Sequence, residues 1–110
     1  MHVLVTGPTG YIGGRLVRRL LAAGHRVRVF VRDPDRVTAR PWADDVEVTR
    51  GDMDEPETVA GALEGIQVAY YLIHAMGGGA DFAARDRRWA RTFVDAGQRH
   101  ADTLRRVIYL

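Results

Sequence analysis

The sequence predicts an α/β domain built on a doubly wound parallel sheet with the strand order 3-2-1-4-5. Short apolar stretches typical of buried strands alternate with stretches in which apolar residues recur at helical spacing. Three glycines at intervals of three, Gly7, Gly10 and Gly13, separate the first strand from the first helix. Because crossovers between parallel strands are right-handed, this alternation is expected to place helices on both faces of one sheet.

The predicted elements run along the whole chain. Strands are expected at 2–6, 26–31, 46–50, 66–73 and 105–110, and helices at 11–23, 56–64 and 81–100. Gly24 and Gly65 are expected to end the first two helices, and Asp54 is expected to cap the second. Side chains at helical spacing predict the inner faces of the first and last helices: Ile12, Leu16, Val17, Leu20 and Leu21, then Phe82, Trp89, Phe93 and Ala96.

Length and composition indicate a single globular domain over residues 1–110. The chain has no cysteine, which excludes disulfides and thiolate chemistry and favours a cytoplasmic location. No stretch is long and apolar enough to span a bilayer, so no membrane partner is expected. The net charge is only +2, and all 16 cationic residues are arginines, so the basic character does not predict nucleic-acid binding. No metal site is expected.

The glycine turn and the helix after it predict a site for a pyrophosphate. The first amides of a helix have no acceptor within the helix, and the helix dipole adds about half a positive charge there. Gly7 is expected to allow a sharp turn, Gly10 the close approach of the anion, and Gly13 the packing of the helix on the strand. A glycine-rich connection that binds nothing is the alternative interpretation.

The segment Thr6-Gly7-Pro8-Thr9-Gly10-Tyr11-Ile12-Gly13 resembles the T-G-x-T/S-G-x-I/L-G motif of extended and atypical short-chain dehydrogenase/reductases. The segment from Asp81-Phe82 to Asp86-Arg87 resembles the D-F-x-x-x-D-R-x-A motif of the atypical group, which includes relatives of NmrA-type redox sensors. The resemblance implies a Rossmann-like NAD(P)H-binding domain. It places these residues at the cofactor: Gly7, Thr9, Gly10, Tyr11, Ile12 and Gly13.

The residues after the second and third predicted strands bear on the choice of cofactor. An acidic group at the end of the second strand typically holds the ribose of NAD, but the residue here is Arg32, which can pair with a 2′-phosphate. NADP is therefore favoured over NAD, with Arg36 as a second phosphate contact, although Asp33 could still face a ribose hydroxyl and Arg32 could face solvent. The resemblance places Asp52 and Met53 beside the adenine; the alternative is that Asp52 only shapes a turn.

The end of the fourth predicted strand is expected at the nicotinamide side. The resemblance places Ile73 and His74 there, and His74 is either a proton-transfer group or a structural hydrogen-bonding residue. The following run, Gly77 to Gly79, is either a gate over the cofactor or a plain loop.

The catalytic residues stay unknown, because the Tyr-x-x-x-Lys pair of the resembling family is absent from a chain without lysine. The resemblance implies that the C-terminal substrate-binding part is missing too, so we expect either the front of a longer protein or a reduced cofactor-binding protein. Two functional classes are left open: the cofactor half of an oxidoreductase, or a non-catalytic module that senses NADPH or supports an assembly. Self-association through the apolar last strand is a further expectation.

Overall fold

The computed structural model describes residues 1–73 and 79–109, and within them a five-stranded parallel sheet. The strand order β3-β2-β1-β4-β5 confirms the predicted doubly wound topology. The strands are β1 (His2–Thr6), β2 (Arg26–Val31), β3 (Glu47–Arg50), β4 (Val68–Tyr71) and β5 (Arg106–Tyr109). The predicted positions of His74, Gly77, Gly78 and Leu110 lie outside the described residues.

The fourth strand is shorter than the predicted 66–73. The amide of Ile66 donates to the carbonyl of Leu63 and so closes the turn that follows the preceding helix. The sheet ladder therefore begins later, where Val68 is paired with Val3 of β1. Ile66 is nevertheless fully buried, so its apolar side chain contributes to core packing although the residue is not in the strand.

Within the described residues, three α-helices pack on the sheet: α1 (Tyr11–Ala22), α2 (Pro56–Ala62) and α3 (Gly79–Gln98). α1 packs against one apolar cluster, and α2 and α3 pack against the other. The helices change face because the chain runs from β1 outward to β2 and β3 and then crosses back to β4. Gly24 (φ 88°) follows the C-cap residue of α1 in the left-handed region, which confirms the predicted end of that helix. Gly65 (φ 76°) also has a left-handed conformation, but α2 ends at Ala62, before the predicted residue 64.

Two apolar clusters fill the space between sheet and helices. The cluster under α1 contains Val17, Leu20 and the buried Trp42, which lies in the segment between β2 and β3. The cluster under α2 and α3 contains Phe93 and Ala96, as predicted for α3, and Trp89 is partly buried against it.

Two sequence expectations about helix ends are wrong. Ile12 is 56% exposed, because it lies in the first turn of α1 beyond the end of the sheet, so it does not belong to the inner face of that helix. Asp54 does not cap α2: the cap residue is Glu55, which makes no side-chain capping bond. The carboxylate of Asp54 is instead bonded to α3.

The start of α1 lies directly on the backbone of the glycine turn. A Cβ on Gly13 would overlap the carbonyl oxygen of Gly7 and lie 2.9 Å from its carbonyl carbon. Gly13 is buried, and no flexible side chain could move aside to relieve this contact. The position of the helix relative to β1 therefore requires glycine at residue 13.

We expect Gly13→Ala to destabilise the fold by about 1–3 kcal/mol, because the methyl group must displace backbone. The matched control is Gly61→Ala in α2, where a Cβ meets nothing within 4 Å. That control should be neutral or stabilising by about 0.5–1 kcal/mol, since alanine favours helix. Urea unfolding of both variants gives the comparison, and equal stabilities would contradict the close packing of α1 on the turn.

Candidate functional site

A cleft of about 460 Å³ opens at the carboxyl ends of β1 to β4. It lies where the chain leaves neighbouring strands β1 and β4 in opposite directions, which is the position at which open α/β sheets bind ligands. Its walls come from the glycine turn, from the segments after β2 and β3, and from one residue each of the β4 end and α3: Gly7, Pro8, Thr9, Phe30, Val31, Arg32, Asp33, Arg36, Gly51, Asp52, Met53, Ile73 and Trp89.

The glycine turn leaves the amino end of α1 open. Gly7 has φ 68°, a left-handed conformation that favours glycine, and its carbonyl accepts from the amide of Gly10 at 3.2 Å. Gly10 has φ −75°, which any residue can adopt, and an added Cβ would meet only the Gly7 oxygen at 3.5 Å. The backbone therefore does not require glycine at position 10. What glycine preserves there is free space in front of amides that α1 itself cannot satisfy.

The residues that follow Gly10 are on the surface. Tyr11 is 77% exposed and Ile12 is 56% exposed, so neither side chain closes the amino end of α1. The guanidinium of Arg15 lies over the ring of Tyr11, with the Arg15 Cζ atom 4.3 Å from the centroid of the ring. An anion can consequently reach the first amides of the helix.

Thr6 joins the glycine turn to the end of β4. Its hydroxyl donates to the carbonyl of Tyr70 and accepts from the amide of Leu72, both at 2.9 Å, and the residue is fully buried. This pair of bonds fixes the spacing between the turn and Ile73, which lines the cleft. This role of Thr6 is not predicted from the sequence, although a polar residue at the end of an apolar strand is a signal for it.

The end of β2 brings two arginines to the cleft. The side chain of Asp33 accepts from the amide of Asp35 at 3.1 Å and so caps the short 3₁₀ turn Pro34–Arg36. This turn carries Arg36 to the cleft wall beside Arg32. One oxygen of Asp33 is thus used in a local turn, while two guanidinium groups line the same end of the cleft.

The end of β3 forms the opposite wall through Gly51, Asp52 and Met53. Gly51 has a structural requirement, since a Cβ would lie 2.7 Å from Cζ of Phe30 and closer still to its Cε2 atom. Asp52 shapes the turn, as the alternative interpretation of the sequence predicts, because its Oδ1 accepts from the amide of Asp54 at 2.8 Å. Asp52 also lines the cleft, so it can contact a ligand while it shapes the turn.

Trp89 reaches the cleft from α3 and is held there by Asp54. The indole Nε1–H donates to Oδ1 of Asp54 at 2.7 Å, and Arg88 donates to the same oxygen at 3.2 Å. The indole bond, followed by Arg88, holds the pKa of Asp54 below its ordinary value. The helical position of Trp89 predicts core packing. In the structure, Trp89 packs on the core and also lines the cleft.

The ionisable side chains on the described walls of the cleft are Arg32, Asp33, Arg36 and Asp52. Tyr71 lies nearby at the end of β4, but burial raises its pKa to about 12, so its hydroxyl is protonated at neutral pH. Within residues 1–73 and 79–109 there is no group of three or more potential metal-ligating side chains. Over the same ranges, no helix has the length and apolar character needed to cross a membrane. The described walls therefore carry two guanidinium groups and two carboxyl groups.

Residues 7–110 match the family described as NAD(P)H-binding. The chain belongs to the NAD(P)H-binding family. This match covers the glycine turn, the cleft walls and all three helices, and it confirms the coarse form of the predicted function, a dinucleotide-binding domain. It does not distinguish NAD from NADP.

Curated relatives of this NAD(P)H-binding domain include dehydrogenases. The chain is 40% identical over 80 residues to a 3 beta-hydroxysteroid dehydrogenase/Delta 5-->4-isomerase of Mycobacterium tuberculosis, covering 70% of this chain and 21% of that protein. It is 42% identical over 71 residues to sterol demethylase protein B of Methylococcus capsulatus, covering 64% of this chain and 21% of that protein. The chain thus spans about a fifth of the length of these relatives.

Solved structures show the same fold. A short-chain dehydrogenase/reductase superfamily protein from Agrobacterium tumefaciens with bound NAD has a TM-score of 0.77 at 24% identity, covering 99% of this chain and 32% of that one. The triphenylmethane reductase of Citrobacter sp., complexed with NADP(H), has a TM-score of 0.79 at 23% identity, covering 99% of this chain and 36% of that one. At these identities the likeness establishes the Rossmann-like fold alone.

We predict that Gly10→Val leaves the protein folded but weakens NADPH binding at least about tenfold, because its side chain takes the space in front of the helix amides. Gly10→Ala, which adds a single methyl group, should weaken binding less. Calorimetric titration gives the affinities, and thermal unfolding checks that the backbone tolerates both residues. Wild-type affinity in the folded Gly10→Val variant would exclude the amino end of α1 as the phosphate site.

Proposed function

We propose that this cleft binds NADP(H) and that residues 1–110 form the cofactor-binding domain of an oxidoreductase of the short-chain dehydrogenase/reductase type. The observation that carries the proposal is that two anion-binding features lie along one edge of the sheet. Arg32 and Arg36 line the cleft, and the turn residues Gly7 and Thr9 line it too. The open amino end of α1 follows directly after this turn, although its own residues do not line the cleft. A dinucleotide with a pyrophosphate and a 2′-phosphate needs both.

The pyrophosphate is assigned to the glycine turn. The amides of Thr9 and of the first turn of α1, at Tyr11, Ile12 and Gly13, would donate to its oxygens. Gly7 and Gly10 would shape the turn and leave space for the anion, since the Gly10 amide itself donates to the Gly7 carbonyl. Support comes from the exposed helix start and from the free space at Gly10. No side-chain charge is required for this contact, since the amides and the helix dipole supply it.

The adenosine is assigned to the ends of β2 and β3. Arg32 and Arg36 would pair with the 2′-phosphate, and Asp52 and Met53 would border the base. Support for NADP over NAD comes from Arg32 and Arg36, which both line this end of the cleft. A carboxylate in the place of Arg32 would repel the phosphate instead.

The nicotinamide end is assigned to the turn between β1 and α1 and to the end of β4. Ile73 would border it, while the proposed role of His74 concerns a residue outside the described part of the chain. When bound, the cofactor supplies or accepts a hydride. The residues of this chain would bind and orient it, and we assign no catalytic acid or substrate-binding group among them.

A second candidate function is a non-catalytic module that senses NADPH or supports an assembly. The observation that favours it is the lack of any lysine, which removes the Tyr-x-x-x-Lys pair from these 110 residues. Hydride-transfer activity in a protein that carries this domain as one part would decide for the oxidoreductase. Cofactor binding without turnover by that protein would decide for the sensor.

A cytoplasmic location and self-association through β5 also stay proposals. The location rests on the absence of cysteine from the sequence. Self-association is supported by the position of β5 at one end of the strand order and by the 50% exposure of Tyr109 on it.

The cofactor preference gives a prediction for Arg32. NADPH should bind wild-type protein more tightly than NADH, and Arg32→Glu should weaken NADPH binding by roughly 10- to 100-fold, since a charge-assisted bond becomes a repulsion. NADH, which lacks the 2′-phosphate, should be affected much less. Fluorescence titration with both cofactors measures these constants.

The control for this experiment is Arg91→Glu, which makes the same charge change at an exposed position of α3 that does not line the cleft. It should leave both affinities unchanged. Equal affinities of the wild-type protein for NADPH and NADH would remove Arg32 from the proposed role.

A further inference from the structure

We propose that Trp89 forms the wall against which the adenine of the cofactor packs, and that Asp54 is the residue that positions the indole for this contact. This inference rests on the proposed function and names the residues that recognise the base. It follows from the place of Trp89 in the cleft, from its tether, and from the lack of another available ring on the described walls.

The place of the base follows from the two anion-binding features. If the pyrophosphate lies at the glycine turn and the 2′-phosphate at Arg32 and Arg36, the adenosine must extend across the ends of β2 and β3. The base then meets the wall formed by Asp52, Met53 and Trp89. A partly buried indole offers it a flat apolar surface, and a purine ring is a suitable partner for such a surface.

The tether makes the position of the indole specific. Asp54 follows directly after the β3 wall, and its Oδ1 accepts the indole Nε1–H at 2.7 Å. The amide of Asp54 is itself bonded to the Asp52 side chain at 2.8 Å, so the tether and the wall belong to one hydrogen-bonded turn. Arg88, on the same oxygen at 3.2 Å, adds a second link from α3.

The other aromatic ring on the described walls is not available for the base. Phe30 is 4% exposed, and its ring is closely packed against the backbone of Gly51. Trp89 is only partly buried, although its N–H is already satisfied by Asp54. The indole can therefore present its ring to a ligand without leaving a polar group unpaired.

The first test uses fluorescence. The chain has two tryptophans, so Trp42→Phe leaves Trp89 as the reporter. Titration with 2′,5′-ADP, which carries only the adenine half of NADP, should change Trp89 emission in a saturable way, and NADPH should do the same. Nicotinamide mononucleotide, the other half, should leave the emission unchanged.

The second test uses affinity for 2′,5′-ADP measured by calorimetry. Trp89→Ala should weaken binding on the order of 10-fold, the size expected for loss of one base–aromatic contact. Trp89→Phe keeps a ring and should recover most of the affinity. Val94→Ala, at an exposed position of the same helix, is the control and should bind like the wild type.

The role of Asp54 is tested by a double-mutant cycle. Asp54→Ala should weaken binding in the wild-type background but have no further effect in the Trp89→Ala background, because Asp54 acts through the indole. An equal loss in both backgrounds would overturn this positioning role.

The outcomes separate this inference from the function on which it rests. Binding of 2′,5′-ADP with unchanged Trp89 emission and wild-type affinity in Trp89→Ala would overturn the indole wall and leave the NADP(H) proposal intact. Failure of the wild-type protein to bind either NADPH or 2′,5′-ADP would overturn both. If Trp89→Ala does not fold, Trp89→Phe and the emission of the Trp42→Phe protein decide.

Discussion

The close contact between Gly13 and the carbonyl of Gly7 determines where the amino end of α1 lies. It brings the helix onto the turn after β1, so its first amides come to the carboxyl edge of the sheet. The hydroxyl of Thr6 makes the matching connection to β4 on the other side of the turn. A helix set farther out would carry its positive dipole end away from the edge of the sheet, and the proposed phosphate site would lose its donors.

The cleft combines contributions that are far apart in the chain. The turn after β1 supplies backbone donors, the segment after β2 supplies two guanidinium groups, and the turn after β3 supplies a polar wall. The sheet order brings these ends to one edge because all the strands run the same way. Asp54 extends this arrangement to α3, since one carboxylate joins the β3 turn to Arg88 and Trp89. A ligand site at this edge agrees with the membership of the chain in the NAD(P)H-binding family.

Local pattern was sufficient for the fold and for the glycine turn beside the candidate site. The strand order, the end of α1 at Gly24 and the glycine turn all follow from patterns along the chain. Ile12 and Asp54 show what local pattern cannot predict. Helical spacing does not reveal that the first turn of α1, with Ile12, extends past the sheet. It also does not reveal that Asp54, a residue type that often caps helices, accepts a hydrogen bond from an indole 35 positions away. The roles of Gly51 and Trp89 likewise depend on tertiary contacts with Phe30 and Asp54.

The central claim is that backbone amides at the start of α1 hold the pyrophosphate. Amide chemical shifts of ¹⁵N-labelled protein, recorded during titration with NADPH, test it most directly. We expect the amides of Gly10, Tyr11, Ile12 and Gly13 to shift most strongly and to saturate together. Tyr11, Ile12 and Gly13 gain an anionic acceptor, and the Gly10 amide, which donates to the Gly7 carbonyl, lies directly beside them. Saturable binding that leaves these four resonances in place while others move would contradict it.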